Sequence, residues 1–451
     1  MAQEIETLAS FVADSQLEDI PEAVRDHAKI VLLDTLGVIL AGHQRSEVAG
    51  LRERLAPSSG SGATIYAKGW PVSDPRTAAL LNGIAGRAIE LCEGLRLVSG
   101  QAAMQVLPGV LAVGETAGSS GREILAALIL GYELAGRLAT GFTPRPLAHQ
   151  NGQVSLLAAA AAGARLKGLD APGVSLAMRI ATTLVLTPSY TNAVAGATAL
   201  NVAGGMSGFA ASLAPELALA GFTAQEDAVE EALGQLVGGG FATDHLLDGL
   251  GAEWQITRNY FRLYACCNPI HPALDCLAAV LAELKPRPEE IARIDVATYR
   301  FASVMRNPDP PNYFASKYSL PHAAAAMVAR GNAGYAALDD SALADPVIAA
   351  LRHRVHIAED PAMSALVPHL RPARVTVTLT DGRSATHSRD SHRGDYSDPF
   401  SEAELREKFR ELAGVVLLPV GVAAVERAVD DIEEWPDVGD LTGLLRRYGR
   451  I

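Results

Sequence analysis

The stretch HPALDCLAAVLAELKPRPEEIARIDVATYRFA, residues 271–302, marks where the texture of this sequence changes. Its first half carries apolar residues at helical spacing, a proline-marked turn follows, and the second half alternates apolar and polar residues as a half-buried strand does. Upstream of residue 265 the patterns predict one helix after another. We therefore predict a mainly α chain that carries a smaller, inserted α/β domain.

The helical part is predicted from amphipathic stretches that carry their own start and stop signals. Residues 21–42, PEAVRDHAKIVLLDTLGVILAG, place a proline near the start of a helix and Gly42 at its end. Residues 121–140 repeat that style. Hydrophobic residues make up 49% of the chain and aromatic residues only 5%, so the core must come mainly from Ala, Leu and Val, which suits closely packed helices. We predict a large all-helical domain formed by residues 1–268 and 398–451.

The inserted α/β domain is predicted from a hairpin and from the helix that follows it. Residues 371–390, RPARVTVTLTDGRSATHSRD, alternate in polarity and carry an Asp-Gly pair at the turn. Residues 401–417 return to a helical pattern, with Ser401 and Glu404 spaced as a capping box. We place the α/β domain at residues 269–397.

Cofactor motifs do not stand out in the sequence. The glycine-rich segment GQLVGGGFATDHLLDGLG, residues 234–251, matches neither a phosphate-binding loop nor a dinucleotide fingerprint, and we predict a mobile loop there. The four cysteines, Cys92, Cys266, Cys267 and Cys276, fit no zinc or iron–sulfur spacing. We therefore expect no metal, no cofactor and reduced, buried thiols.

The net negative charge of the chain limits the kinds of molecule that it can bind. The chain of 451 residues has a formal net charge of −13 and no long basic run, which argues against nucleic acid and against an anionic membrane surface. The apolar runs are broken before the ~20 residues that a membrane span needs. The acidic, amphipathic N-terminus does not resemble a signal peptide. These features predict a cytoplasmic protein that acts on a small molecule.

Ordered segments along nearly the whole chain carry a family resemblance. In sequence order, the chain contains DTLGVILAG (34–42), VLPGVLAVGE (106–115), YACCNPIHPALD (264–275), KYSLPHAAAAMVARG (317–331) and DPFSEAELREKF (398–409). Together they resemble the MmgE/PrpD family, which includes 2-methylcitrate dehydratase, cis-aconitate decarboxylase and iminodisuccinate epimerase. The resemblance implies a homodimer, a small α/β lid over the helical domain, and an active site between the two domains that works without metal or organic cofactor.

The family's site residues carry over only in part. Two family histidines are retained as His149 and His271, and these two with Glu90, at the family's Asp position, are the expected catalytic residues. Gln101 stands where the family has another histidine, and Ala199 where it has a lysine. The substrate-binding residues that we expect from the resemblance and from side-chain chemistry are Gln101, Arg96, Arg262, Lys317 and His322.

Physical arguments support some of these roles. His149 precedes an Ala-rich helix, whose N-terminal dipole would keep the imidazole neutral, as proton abstraction requires. His271 lies at a proline-containing turn, a plausible hinge between body and lid. Glu90 and Glu93 would share a face if their segment were helical. The guanidinium groups of Arg96 and Arg262 can grip carboxylates in bidentate fashion.

The departures from the family suggest altered chemistry. Ala199 removes a lysine–carboxylate contact, and Gln101 hydrogen-bonds without acid–base activity at neutral pH. We therefore expect a less positive pocket and a substrate less anionic than methylcitrate. The main hypothesis is a cofactor-independent lyase or isomerase that abstracts a proton next to a carboxylate or carbonyl, in a dehydration, decarboxylation or epimerisation. A non-catalytic binding or scaffold protein, and recruitment to a specialised biosynthetic reaction, remain alternatives. Which histidine takes the proton stays open.

Overall fold

The computed structural model describes residues 2–55, 62–95 and 100–450. The chain is mainly helical, as predicted. Its helices are α1 Ala2–Asp14, α2 Glu22–Gly42, α3 Ser46–Leu55, α4 Pro75–Ala88, α5 Ala102–Ala117, α6 Gly121–Gly141, α7 Val154–Leu166, α8 Ala171–Ala181, α9 Thr191–Ala195, α10 Val202–Leu219, α11 Ala228–Glu231, α12 His271–Leu284, α13 Arg300–Ser303, α14 Tyr313–Ser316, α15 Leu320–Arg330, α16 Asp340–Ala344, α17 Pro346–Arg352, α18 Pro361–Ser364, α19 Glu402–Ala413, α20 Pro419–Asp430 and α21 Gly439–Tyr448.

The strands are short outside one sheet. They are β1 Ala63–Thr64, β2 Val72–Ser73, β3 Gly94–Leu95, β4 Phe142–Pro144, β5 Gly238–Phe241, β6 Asn259–Tyr260, β7 Ile291–Thr298, β8 Val355–Glu359, β9 Ala373–Leu379 and β10 Ser384–Arg389. The sheet of four strands has the order β10-β9-β7-β8, with β7 and β8 parallel and the other pairs antiparallel. The strands β9 and β10 form the predicted hairpin, and α19 begins with the predicted capping box of Ser401 and Glu404.

Small residues bring the central helices of the helical part close together. The helix α10 packs against α4, α5 and α7. A Cβ atom on Gly83 of α4 would lie 2.7 Å from the Cα atom of Gly205 in α10, a separation that no side chain tolerates. Glycine at both positions lets the backbones of α4 and α10 touch.

Two clusters of buried apolar side chains form the interior. The first joins the helices of the N-terminal half to α19, α20 and α21. The second lies around the β7–β10 sheet with α12 and α15, and also takes in Leu91, Cys92 and Met104 from the helical part. The segment after α4 therefore lies where the two clusters meet. The predicted boundaries at 268/269 and 397/398, and a lid function for the α/β part, remain predictions.

The glycine-rich segment differs in part from the predicted loop: residues 242–251 contain no helix or strand, but four residues before them form a strand. Residues Gly238–Phe241 form β5, which pairs antiparallel with β4. A side chain at Gly238 would collide with the ring of Phe142, about 2.5 Å from its Cβ position. Glycine here lets the strand approach an aromatic neighbour, so the composition that resembles a loop serves close pairing instead.

One helix in the described part of the chain, Gly121–Gly141, is long and apolar enough to cross a membrane. Within its most apolar stretch 89% of the residues are buried in the fold. The apolarity of α6 is therefore used in packing against α5 and α7.

A buried ion pair connects α19, in the C-terminal part of the chain, to α2. Lys408 donates from Nζ to Asp34 Oδ1 at 2.6 Å and to the carbonyl oxygen of Leu91 at 2.8 Å. Both charged side chains are at most 3% exposed. Burial raises the pKa of Asp34, and Lys408 opposes that rise. The pair fixes the backbone at Leu91, next to the candidate site described below.

We predict that Lys408→Met lowers the free energy of unfolding by about 3–5 kcal/mol, because it leaves the Asp34 carboxylate buried without a counter-charge. Urea unfolding followed by circular dichroism measures the change. The loss should be larger at pH 8 than at pH 5, because protonation of Asp34 removes the unpaired charge. Arg287→Met, which breaks an exposed pair with Glu290, is the control and should change stability by less than about 1 kcal/mol. A loss of similar size in both variants would contradict the role of burial.

Candidate active site

A cavity of about 350 Å³ lies where the two apolar clusters meet. The helical part and the α/β part both contribute to its walls. The residues that line it are Arg87, Glu90, Gln101, Pro144, Arg145, Pro146, Ala148, His149, Gln150, Tyr190, Tyr260, Arg262, Cys267, Asn268, Pro269, Tyr299, Phe301, Tyr318, Val367, Pro368 and Arg371.

Glu90 reaches the cavity through an unusual backbone conformation. The helix α4 ends at Ala88, and Glu90 has a φ of +53°, in the left-handed region that non-glycine residues rarely adopt. Such conformations persist where surrounding contacts hold them, and they cluster at functional sites. Glu93 points elsewhere and accepts hydrogen bonds from Tyr132 Oη at 2.6 Å and from the backbone N–H of Ala103 at 2.9 Å. The two glutamates therefore do not share a helical face.

The Glu90 carboxylate is enclosed by three donors. Arg262 Nη1 donates to Oε1 at 2.7 Å, Tyr318 Oη donates to Oε2 at 2.9 Å, and Arg87 Nη1 pairs with Oε2. Arg87 Nη2 also donates to Tyr318 Oη at 2.7 Å. Both carboxylate oxygens are thus taken by charge-assisted or hydroxyl hydrogen bonds. This arrangement suits an anchor for two arginines better than a base.

The cavity is rich in positive charge, in contrast to the less positive pocket expected from Ala199. Four arginines (Arg87, Arg145, Arg262 and Arg371) and one carboxylate, that of Glu90, are among the described lining residues. Arg87 and Arg262 pair with Glu90, whereas Arg145 is exposed and donates to the carbonyl oxygens of Gln235 and Leu236. Ala199 lies in a 3-10 turn, Thr198–Asn201, and is not among the described lining residues. The positive charge comes from arginines in other segments of the chain. The expectation of a substrate less anionic than methylcitrate stays a prediction, and these arginines argue against it.

His149 lines the cavity as a neutral imidazole. Burial, with the positive charges of Arg87 and Arg262, lowers its pKa to about 3. The helix α7 begins at Val154, so His149 lies ahead of its first turn, and burial is the leading cause rather than the helix dipole. The backbone N–H of Asn151 donates to His149 Nδ1 at 3.2 Å. The ring proton is therefore carried on Nε2.

Gln101 also lines the cavity. It precedes α5 without capping that helix through its side chain. Its Oε1 atom is buried and has no hydrogen-bond partner among the residues that the structure describes. A ligand hydroxyl or a water can supply the missing donor, so Gln101 offers recognition without proton transfer.

The remaining predicted residues do not line the cavity in the described part of the chain. His271 begins α12, hydrogen-bonds through Nε2 to the carbonyl oxygen of Cys266 at 3.0 Å, and has a pKa lowered by burial to about 3. Lys317 Nζ donates to the carbonyl oxygen of Leu338 at 2.6 Å and lies 4.0 Å from the ring centre of Tyr313, and burial lowers its pKa to about 7.

His322 is likewise absent from the described cavity wall. His322 is buried in α15, with both ring nitrogens lacking a partner among the described residues. Arg96 lies outside the described residues.

Sequence reasoning missed several aromatic residues and one arginine that line the cavity. Tyr190 stacks on His149 with ring centroids 5.5 Å apart and meets Tyr318 edge-on at 6.4 Å. Tyr260 and Arg371 reach the cavity from other segments. Tyr318 directly follows Lys317 in KYSLPH. The resemblance therefore indicated the correct segment but predicted Lys317, whereas the adjacent Tyr318 lines the cavity. Tyr190 and Arg371 carry no local pattern that would mark them.

The residues that the structure describes contain no group of three or more His, Cys, Asp or Glu side chains placed to hold a metal ion. All four cysteines are buried and unpaired by disulfides. Action without metal or cofactor remains a prediction.

Known proteins resemble this chain over nearly its full length. Residues 6–239 match the MmgE/PrpD N-terminal domain and residues 264–434 match the MmgE/PrpD C-terminal domain. The cis-aconitate decarboxylase-like protein oryM of Aspergillus oryzae is 24% identical, with 97% of this chain and 96% of the relative aligned. Cis-aconitate decarboxylase of Homo sapiens is 24% identical over 98% and 94% of the two chains, and that of Aspergillus terreus 23% over 97% and 95%.

We predict that His149 stays neutral from pH 8 down to pH 5 in the free protein, because a pKa of about 3 allows protonation only in stronger acid. Nitrogen-15 NMR of labelled histidine measures this, with His149→Gln identifying the signal. Succinate, a dicarboxylate added as a test anion, should raise the pKa of His149, because its negative charge offsets the positive charges of Arg87 and Arg262. Since the unfolded ring protonates near pH 6.5, the stability that depends on a neutral His149 declines as pH falls below that value. Protonation between pH 6 and 7 in the free protein would contradict the assignment.

Proposed function

The chain belongs to the MmgE/PrpD family, and on that premise we propose that it is a lyase acting on a polycarboxylate, with decarboxylation of an unsaturated acid as the preferred reaction. The relatives, two cis-aconitate decarboxylases and a cis-aconitate decarboxylase-like protein, favour decarboxylation over dehydration or epimerisation. Homodimerisation, a closing lid, action in the cytoplasm and independence of metal and cofactor are parts of the same proposal.

The observation that carries the proposal is the pairing of arginines with a neutral imidazole in one cavity. Carboxylates of the substrate bind the guanidinium groups, for which a planar, bidentate partner is favourable. His149 stands beside them with its proton on Nε2. A site of this kind can hold an anion and exchange a proton with it.

The proton inventory of the reaction is simple. In a β,γ-unsaturated acid, the bond between the α carbon and the departing carboxylate breaks. Its electron pair forms a new double bond between the α and β carbons, and the γ carbon takes a proton. We assign that proton to His149. The bound polyanion compensates Arg87 and Arg262, the two charges that help depress the pKa of His149. In the complex the ring can then take a second proton on Nδ1, once that atom gives up the hydrogen bond from the backbone N–H of Asn151. Solvent restores its proton after release of the products.

Glu90 and Tyr318 act as positioning residues in this proposal. Glu90 holds Arg87 and Arg262 at a fixed spacing, and Tyr318 bridges Glu90 to Arg87. Burial raises the pKa of Tyr318 to about 12, which keeps its hydroxyl protonated at neutral pH. His271 and Lys317 then serve the packing of the α/β part, and their direct participation in chemistry is not needed.

Two alternatives follow from the sequence departures. A binding protein without activity would hold polycarboxylates in the same arginine-lined cavity but exchange no proton. Recruitment to a specialised biosynthetic reaction would keep the chemistry and change the substrate. Turnover measurements separate the first alternative from the proposal, and the choice of substrate separates the second.

We predict that His149→Gln lowers turnover by about 10²–10⁴-fold, the range expected when a positioned acid or base is removed. Proton NMR in D2O, with cis-aconitate, citrate, 2-methylcitrate and related unsaturated acids, measures the loss of substrate and the entry of one deuterium into the product. Released carbon dioxide is measured in parallel.

The matched control is His245→Gln, which changes an exposed histidine outside the cavity and should leave turnover unchanged. Turnover of His149→Gln within a few-fold of the unmodified protein would overturn the assignment of the proton donor. Binding of the acids without release of carbon dioxide or deuterium exchange would instead favour the non-catalytic alternative.

A further inference from the structure

The cavity changes character from its floor to its rim. Arg87, Glu90 and Arg262 at the floor are at most 2% exposed. At the rim, Phe301 is 45% exposed and Val367 is 38% exposed. This distribution is the reverse of the usual one, because charged side chains are usually exposed and large apolar side chains are usually buried.

An apolar wall connects the two ends. Tyr190 meets Tyr318 at the floor with ring centroids 6.4 Å apart and meets Phe301 at the rim with centroids 5.2 Å apart. Pro146 and Pro368 also line the cavity. The aromatic surface therefore runs without interruption from the charged groups to the solvent.

Two chain neighbours of rim residues are themselves apolar and exposed. Leu147, between the lining residues Pro146 and Ala148, is 68% exposed, and Leu366, next to Val367, is 44% exposed. Exposed apolar side chains that lie singly need no explanation, but a contiguous group around a cavity mouth marks a binding surface.

The size of the cavity exceeds what a small acid needs. A volume of about 350 Å³ lies in the range of pockets that take drug-sized ligands. A small polycarboxylate seated on the arginines would leave the proline-rich and aromatic rim in contact with water. A ligand with an apolar extension would cover that rim and gain the free energy of its burial.

We propose that the substrate of this site is a polycarboxylate that carries an apolar substituent, an alkyl or aryl chain of several carbons. Its carboxylates lie on the arginine floor, and its chain runs along Tyr190 and Phe301 to the rim at Val367. The head group in this inference rests on the proposed function, whereas the apolar chain rests on the rim alone.

The test measures affinity for saturated acids, which bind without reacting. Isothermal titration calorimetry compares succinate with 2-ethyl-, 2-butyl-, 2-hexyl- and 2-octylsuccinate. We expect affinity to rise about two- to fourfold per methylene over the first several carbons, since each buried CH2 contributes ~0.8 kcal/mol. In Phe301→Ala and Val367→Ser the ratio of hexylsuccinate affinity to succinate affinity should fall at least fivefold. Phe222→Ala, which truncates an exposed phenylalanine outside the cavity, is the matched control and should keep the ratio.

The outcomes separate this inference from the proposed function. A ratio of hexylsuccinate to succinate affinity within twofold of one would overturn the apolar chain, even if cis-aconitate is decarboxylated. A rising series with no turnover of any unsaturated acid would support the chain and contradict the lyase. Light scattering provides a further check: if Phe301→Ala or Val367→Ser turns a dimer into monomers, a second copy of this chain covers the rim and the inference is overturned.

Discussion

The carboxylate of Glu90 is the counter-charge on which the cavity depends. It holds Arg87, at the end of α4, and Arg262, which follows β6, while Tyr318 reaches it from the segment between α14 and α15. Two buried guanidinium groups without it would carry a large desolvation penalty. One carboxylate for two cations still leaves the floor positive. The same pairing therefore stabilises the junction of the helical and α/β parts and prepares it for an anion.

The imidazole beside this pairing follows from the same electrostatics. Burial and the two arginines work in one direction on His149, against protonation. A polyanionic ligand reverses the balance, because it brings negative charge where the protein has left an excess of positive charge. The protonation state of the site is then coupled to occupancy, and the ligand itself helps to create the acid that acts on it.

The sequence predicted elements better than side-chain directions. The helix at residues 21–42, the hairpin at 371–390 and the return to helix at Ser401 depend on local periodicity, turn residues and capping, and the structure contains them. Glu90, Gln101, His149 and Arg262 line the cavity as the resemblance implied. Lys317 points instead to the carbonyl oxygen of Leu338, because the sequence pattern of the short segment between α14 and α15 does not determine the direction of its side chain. The charge of the cavity could not be read from the missing lysine at Ala199, because Arg87 and Arg371 come from segments far apart in the chain and no local pattern connects them.

The contact between Glu93 and α5 has an evolutionary consequence. The first turn of a helix needs acceptors for its free N–H groups, and the residue at its start usually supplies one. Here Glu93, eight positions earlier, accepts the N–H of Ala103, and Gln101 has no such duty. Position 101 lines the cavity, and the resemblance places a histidine there in the family. Because the side chain at position 101 does not cap α5, it can be replaced by another while the helix still begins at Ala102. Substrate preference can thus drift in a lineage at a position where change carries little penalty for folding.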